Sequence, residues 1–221
     1  MLPFTVEQFL NVFEQYNQAI WPLHIVAYLL GIGAVVLAAA KIRYADQIIS
    51  LILAFLWGWV GVVYHIMYFS TINGAALGFG ALFVVQAILW LVFGVVRPKL
   101  AFHLEANPYA ITGAVLILYA MLVYPVIGAL LGHGYPRSPS FGVAPCPTAI
   151  FSFGLLLCTT ARVPRSLLII PLLWSLLGFS AAVSLGIRED VGLLLAGLLC
   201  VGLLLWRDRA AAHTGKRPHY A

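Results

Sequence analysis

Charge is what this chain has least of. Asp, Glu, Lys and Arg make up 9% of its 221 residues, against 63% hydrophobic residues and a mean hydropathy of +1.01. A soluble domain carries about 25% charged and about 45–50% apolar residues. So few polar groups cannot cover a water-facing surface, which excludes a cytosolic enzyme, a secreted disulfide scaffold, a disordered tail and a soluble nucleic-acid binder. Cysteine is sparse as well. Cys146, Cys158 and Cys200 form an odd set without a CxxC pair, so neither a disulfide framework nor a zinc ribbon is present. The sequence also lacks HExxH, GxSxG, HxxxH and any glycine-rich phosphate loop, the usual marks of hydrolases and nucleotide binders. No expected span contains Lys, which excludes a retinal Schiff base, and none contains a central Asp or Glu, which counts against a proton-coupled pump.

What remains is a polytopic membrane protein. A bilayer core about 30 Å thick takes about 20 apolar residues per helix. Seven stretches qualify: 20–40, 47–70, 75–96, 109–131, 147–161, 166–187 and 191–206, the fifth and seventh being short. Charged and turn-forming residues punctuate the connections, Arg188-Glu189-Asp190 between the last two among them. One set of span ends carries Lys41, Arg43, Arg97, Lys99, Arg162, Arg165, Arg207, Arg209, Lys216 and Arg217; the other carries Arg137 and Arg188. Ten against two places the first set in the cytoplasm of the cell (inner) membrane, with the N-terminus outside and the C-terminus inside. The net charge of +5 is therefore a topology signal, and no nucleic-acid partner is expected.

Residues 1–19 have no basic leader and carry Glu7 and Glu14, unlike a signal peptide. Thr5 and Gln8 have capping-box spacing, and Phe4 and Phe9 that of a hydrophobic staple. Val6, Phe9, Leu10, Phe13 and Tyr16 share one helical face, which predicts an amphipathic helix lying on the outer surface or folded over the mouth of the bundle. The basic tail 207–221 is expected to be disordered. Small-xxx-small pairs at Gly74/Gly78, Gly128/Gly132 and Gly178/Ala182 predict close helix contacts, and a homo-oligomer is compatible with them. Pro125 and Pro171 are expected to kink their spans.

The segment before the fifth span, Phe141-Gly142-Val143-Ala144-Pro145-Cys146-Pro147-Thr148, is the most unusual in the chain. With Pro147 as first helical residue, Cys146 becomes the N-cap, where orphan N–H groups and the helix dipole favour thiolate. The alternative is a rigid proline-flanked turn with an inert thiol. Cys158 and Cys200 read as packing residues. His24, in the first turn of span one, and His65, near the outer end of span two, share the level of Cys146; His133 follows span four in a loop. His65 suits a ligand role or an interhelical hydrogen bond equally. Trp57, Gly61, Tyr64 and Tyr68 align along span two, and with Gln86, Trp90, Tyr124 and Trp174 they form either an aromatic pocket or ordinary packing. His103, His213 and His219 fall at the cytoplasmic side and carry no signal.

Three stretches carry a resemblance: Leu2-Pro3-Phe4-Thr5 through Ile20-Trp21-Pro22, the Phe-Gly-Val-Ala-Pro-Cys-Pro-Thr segment, and Ile170-Pro171-Leu172-Leu173-Trp174. In them the chain resembles a family of uncharacterised prokaryotic multi-pass membrane proteins, a domain of unknown function. The resemblance implies a single membrane domain and brings no activity or site residue with it.

The expectation is thus an all-α integral membrane bundle of about seven transmembrane helices (20–206), preceded by an amphipathic helix (1–19) and followed by a basic cytoplasmic tail (207–221). Its partners are the lipid bilayer and a small solute or soft metal ion, transported or bound at an outward-facing site. Cys146, His24 and His65 are the expected metal ligands, since thiolate plus imidazole suits zinc or copper(I). Tyr64 and Trp57 complete the ligand wall. No catalytic residue is assigned. Two alternatives stand beside this: an intramembrane thiol-dependent enzyme with Cys146 as nucleophile and a histidine base, and a non-catalytic accessory subunit of a membrane complex.

Overall fold

The computed structural model describes residues 3–40, 42–132 and 134–213. Lys41, His133, Lys216, Arg217 and His219 lie outside the described residues, as does the tail from 214 on. The described chain is helical, and among the described residues there is no strand, only an isolated bridge between Phe102 and Thr159. Helix α1 (Val6–Ala19) precedes α2 (Leu23–Ala40), α3 (Ala45–Thr71), α4 (Ala76–Val96), α5 (Pro108–Leu130), α6 (Pro145–Leu157), α7 (Ser166–Leu185) and α8 (Val191–His213). Six of these are long and apolar enough to cross a membrane, and α6 is a shorter apolar helix. The protein is a multi-pass membrane protein.

Its burial pattern is that of a lipid-facing bundle. On α2 the inward face is His24, Ala27, Gly31, Ala34 and Ala38, while Leu29 and Val36 stand 64% and 57% exposed. Lipid is as apolar as leucine, so large aliphatics gain nothing by turning inward, and small residues do, because they let backbones approach. The closest approaches join different helices. A methyl group on Gly154 of α6 would lie 2.7 Å from the Gly113 carbonyl of α5, and one on Gly80 of α4 would lie 2.8 Å from the Gly61 carbonyl of α3. Among the expected small-residue pairs, Gly178 packs tightly against Leu193 and both Gly128 and Ala182 are buried, whereas Gly74, Gly78 and Gly132 face open space. The sequence rule looks along one helix, whereas these contacts are set by which helices become neighbours.

All thirteen residues of α6 are buried. That explains how so short a helix can serve: it is wrapped by protein, so it need not match the hydrocarbon thickness, and non-helical chain at its ends is shielded from lipid. It starts at Pro145, two residues earlier than expected, with Ala144 as the N-cap. Cys146 is therefore the second residue of the helix and not its cap. Pro145 and Pro147 lack N–H groups, so in a buried first turn only Cys146 keeps one of the donors that helix starts leave unpaired. At the other end of α6, His103 N–H donates to Cys158 O at 2.7 Å and Thr160 N–H to Ala101 O at 2.8 Å. The Arg207 guanidinium from α8 donates to the carbonyls of Thr159 and Ala161. Arg207 thus belongs to a helix that runs on to His213, which corrects the expectation of a disordered tail from residue 207.

Three π-helical stretches interrupt the spans, at Val60–Tyr68, Val92–Val96 and Tyr119–Val123. The last ends two residues before Pro125. A proline removes an i→i−4 bond and crowds the preceding turn, and a wider turn there relieves the clash.

Candidate functional site

Helix α1 closes one end of the bundle. Thr5 and Gln8 form the expected capping box, with Gln8 N–H donating to Thr5 Oγ1 at 3.2 Å and Thr5 N–H to Gln8 Oε1 at 2.8 Å. The helix is folded over the bundle rather than spread on its own plane. Its buried face is Leu10, Val12, Phe13, Tyr16 and Asn17, which moves the expected stripe: Val6 is exposed and Asn17 is inside. Tyr16 Oη donates to Val143 O at 2.7 Å and accepts from Trp59 Nε1 at 2.9 Å. Burial pushes the Tyr16 phenol up from its usual value, so it remains a neutral donor. Asn17 Nδ2 donates to Pro136 O at 2.6 Å and Ser138 O at 2.8 Å, and Asn17 Oδ1 lies 3.0 Å from His24 Nε2. Arg137 pairs with Glu7 and with Glu14. The loop 134–144 and α1 thereby hold one another.

Beneath α1 lies a cavity of about 200 Å³. Its α1 side is Phe4, Phe9 and Phe13; the opposing walls include Tyr64 and Phe69 of α3, Phe79 of α4 and Trp174 of α7. The rings pack as a continuous cage. Phe13 stacks on Tyr64 at 5.0 Å, Tyr64 on Phe69 at 5.7 Å, and Phe79 meets Trp174 edge-on at 5.5 Å. The remaining lining is mostly aliphatic, small or proline, with Asn73 and Ser180, and it holds Cys146 and Asp190 as well. Cys146 and Asp190 line the same cavity, and Tyr124 Oη donates to Asp190 Oδ1 at 2.6 Å.

Asp190 is the residue that sequence reasoning missed. Arg188-Glu189-Asp190 reads as solvent-facing punctuation between two spans, yet Glu189 is 1% and Asp190 5% exposed. The connection is one 3₁₀ turn, Arg188–Asp190, entered through Gly186 in the left-handed conformation (φ 73°) that ends α7. So tight a turn keeps its backbone within the bundle, and Tyr119 Oη donates to the Glu189 carbonyl at 2.6 Å. The available signal was brevity: four residues between the glycine and the next helix leave little reach for two carboxylates. Acidic residues at that point also sit where the N-terminus of α8 favours negative charge.

The expected ligands do not meet as a metal centre. Among the described residues no three His, Cys, Asp or Glu side chains form a group that could hold a metal ion. His24 is engaged with Asn17. His65 is fully buried among rings, 4.8 Å from Phe83 and 5.1 Å from Trp174 between centroids, and neither of its nitrogens has a hydrogen-bond partner. It therefore neither bonds Cys146 as a general base nor makes the interhelical hydrogen bond its position suggests. Trp57 donates to Ser152 Oγ of α6 at 2.9 Å and packs on Phe83, away from the cavity. Of the five expected ligand residues, Cys146 and Tyr64 line the cavity, and His65 stands behind its aromatic wall. Sharing a depth in the bundle was legible from the sequence; facing the same way was not.

A comparison with curated proteins and with solved structures found no match. Residues 6–214 match the model described as Family of unknown function (DUF6064), a span that takes in α1, the cavity and all the helices around it, and the chain belongs to that family.

Proposed function

We propose that the protein binds a small solute in the cavity beneath α1, as the binding step of a membrane transporter. The observation that carries this reading is the cavity itself: a largely apolar space, rich in aromatic rings, holding a buried carboxylate and a thiol. An ionisable group inside a membrane bundle is costly, and its usual reason is a ligand or ion pathway. At about 200 Å³ the space is below the roughly 300–1,000 Å³ of sites for drug-sized ligands, so the solute has few heavy atoms. Helix α1 covers the space and has to shift for the solute to pass.

Cys146 reports on this directly. In the intact full-length protein in detergent, neutral methyl methanethiosulfonate is expected to label Cys146 ahead of Cys158 and Cys200, as read by peptide mass spectrometry. Cys200 faces the Phe153 carbonyl at 3.5 Å and Cys158 lies by Gly113, both off the cavity. A Cys146 that reacts only after unfolding would show the cavity to be closed to solutes and end this reading.

The cavity mouth opens outward in this proposal, with the C-terminus in the cytoplasm of the cell (inner) membrane. Supporting it, Arg43, Arg97, Lys99, Arg162, Arg165, Arg207 and Arg209 belong to the helix ends opposite α1, and Arg137 and Arg188 to the α1 end. A reporter fused after Ala221 is expected to be active only as a cytoplasmic reporter; a periplasmic signal there reverses the orientation.

A further inference from the structure

Among the described residues that line the cavity, Asp190 is the sole one of formal charge, and none is Lys, Arg or His. The Tyr124 hydroxyl donates to Asp190, and the Cys146 thiol lines the same cavity; neither brings positive charge. Arg188, two residues away, is exposed and does not line the cavity. Much of the wall is aromatic, with Phe13, Tyr64, Phe69, Phe79 and Trp174 among its rings, and most of the remainder is aliphatic or small, with Asn73 and Ser180 as neutral polar residues. Ring faces carry negative quadrupole density and attract cations, most strongly where water is excluded. A carboxylate alone would suit a metal ion or a polar solute, and rings alone a hydrocarbon. Together they select a cation with an apolar skin.

We infer that the solute is a small organic ammonium ion, its charge facing Asp190 and its alkyl groups against the rings of Tyr64, Phe69 and Trp174. This rests on the cavity being the solute site. Metal ions fit poorly, since they need several oxygen, nitrogen or sulfur donors together and among the described residues no three His, Cys, Asp or Glu side chains form such a group. Anions are opposed by Asp190, and larger cations by the volume.

The test compares labelling of Cys146 in the full-length protein by three methanethiosulfonates: the neutral methyl ester, the 2-(trimethylammonium)ethyl ester and the 2-sulfonatoethyl ester. Each rate is normalised to that with free 2-mercaptoethanol. The ammonium reagent is expected to exceed the sulfonate by about tenfold or more, and Asp190→Asn to bring the two within about twofold. A ratio that Asp190→Asn leaves unchanged, or a faster sulfonate, overturns the inference while the neutral reagent still reports an accessible site. If no reagent reaches Cys146 before unfolding, the solute site itself is lost and the inference with it. A second measurement does not depend on the variant folding. In the unaltered protein, tetramethylammonium is expected to slow neutral labelling of Cys146, and tert-butanol at the same concentration to leave it unchanged. Equal protection by both compounds, or protection by neither, overturns the inference.

Discussion

Gly154→Leu is expected to abolish folded protein. Gly154 and Gly113 form a mutual contact at the centre of the α5–α6 crossing, where a methyl group on either would come within 2.7 Å of the other's carbonyl oxygen. The second neighbour of Gly154 is Ile117, also 2.7 Å from the added carbon. Backbone cannot yield as a flexible side chain does, so α5 would have to move away from α6, the helix around which the others pack. Overpacking of this kind costs about 1–3 kcal/mol for a modest insertion and more for a branched side chain against backbone. Gly154→Ala is thus expected to lower the melting temperature clearly, and Gly154→Leu to leave no monodisperse species in size-exclusion chromatography. Gly78→Ala is the control: nothing lies within 4 Å, and alanine in place of glycine within a helix is worth up to about 1 kcal/mol in its favour. If Gly154→Leu purifies as a stable protein, the α5–α6 crossing is not where the structure places it.

Asn17→Ala is expected to release α1, and Arg137→Ala to do so far less. The fully buried Asn17 amide satisfies the carbonyls of Pro136 and Ser138 and meets His24, so its removal strands three polar groups under the helix. Buried groups left unpaired cost about 1–3 kcal/mol each, reduced where water can refill the gap; a total near 2 kcal/mol raises local opening by a factor of roughly 30. The contacts of Arg137 with Glu7, Glu14 and Asn11 are half-exposed or exposed, and such pairs contribute about 0–1 kcal/mol. Hydrogen exchange over residues 6–19 is expected to accelerate strongly in Asn17→Ala, with faster neutral labelling of Cys146 beneath. Unchanged exchange in Asn17→Ala together with fast exchange in Arg137→Ala would mean that the ion pairs, and not the amide, hold the lid. The same result would weaken the view that a shift of α1 admits the solute.

Much of the architecture follows from one-dimensional pattern. The bilayer fixes span length, and the spans at 75–96 and 166–187 agree with the helices within a residue or two because hydropathy changes abruptly at Arg97 and at Arg188. The capping box of α1 is local chemistry, three residues apart, and is present as expected. Where two readings were locally equivalent the sequence had no means of choosing: Pro145 and Pro147 are both good first helical residues, and the structure takes the earlier one, which turns Cys146 from a cap into the second residue of a buried turn. Tyr64 and Cys146 were candidates by residue type, and they do line one cavity. His24 and Trp57 were equally good candidates by type and depth, and both face other partners.

The sequence by itself determined that this is a helical membrane protein, where its six long apolar helices run, and that its first helix is amphipathic. Those properties depend on residues close together in the chain, or on a solvent that acts on each span separately. Only the tertiary structure decided which helix is central, which glycines touch, and what lines the cavity. In lipid every span is apolar all round, so no hydrophobic face marks its inner side, and rotation about each helix axis is set by contacts with the neighbours it acquires. Asp190 shows the consequence most plainly. As a letter between two spans it is a loop residue; as a side chain held by Tyr124 from α5 and sharing a cavity with Cys146 of α6, it becomes the one residue of formal charge among the described residues lining that cavity, because the turn that exposes Arg188 points Asp190 inward.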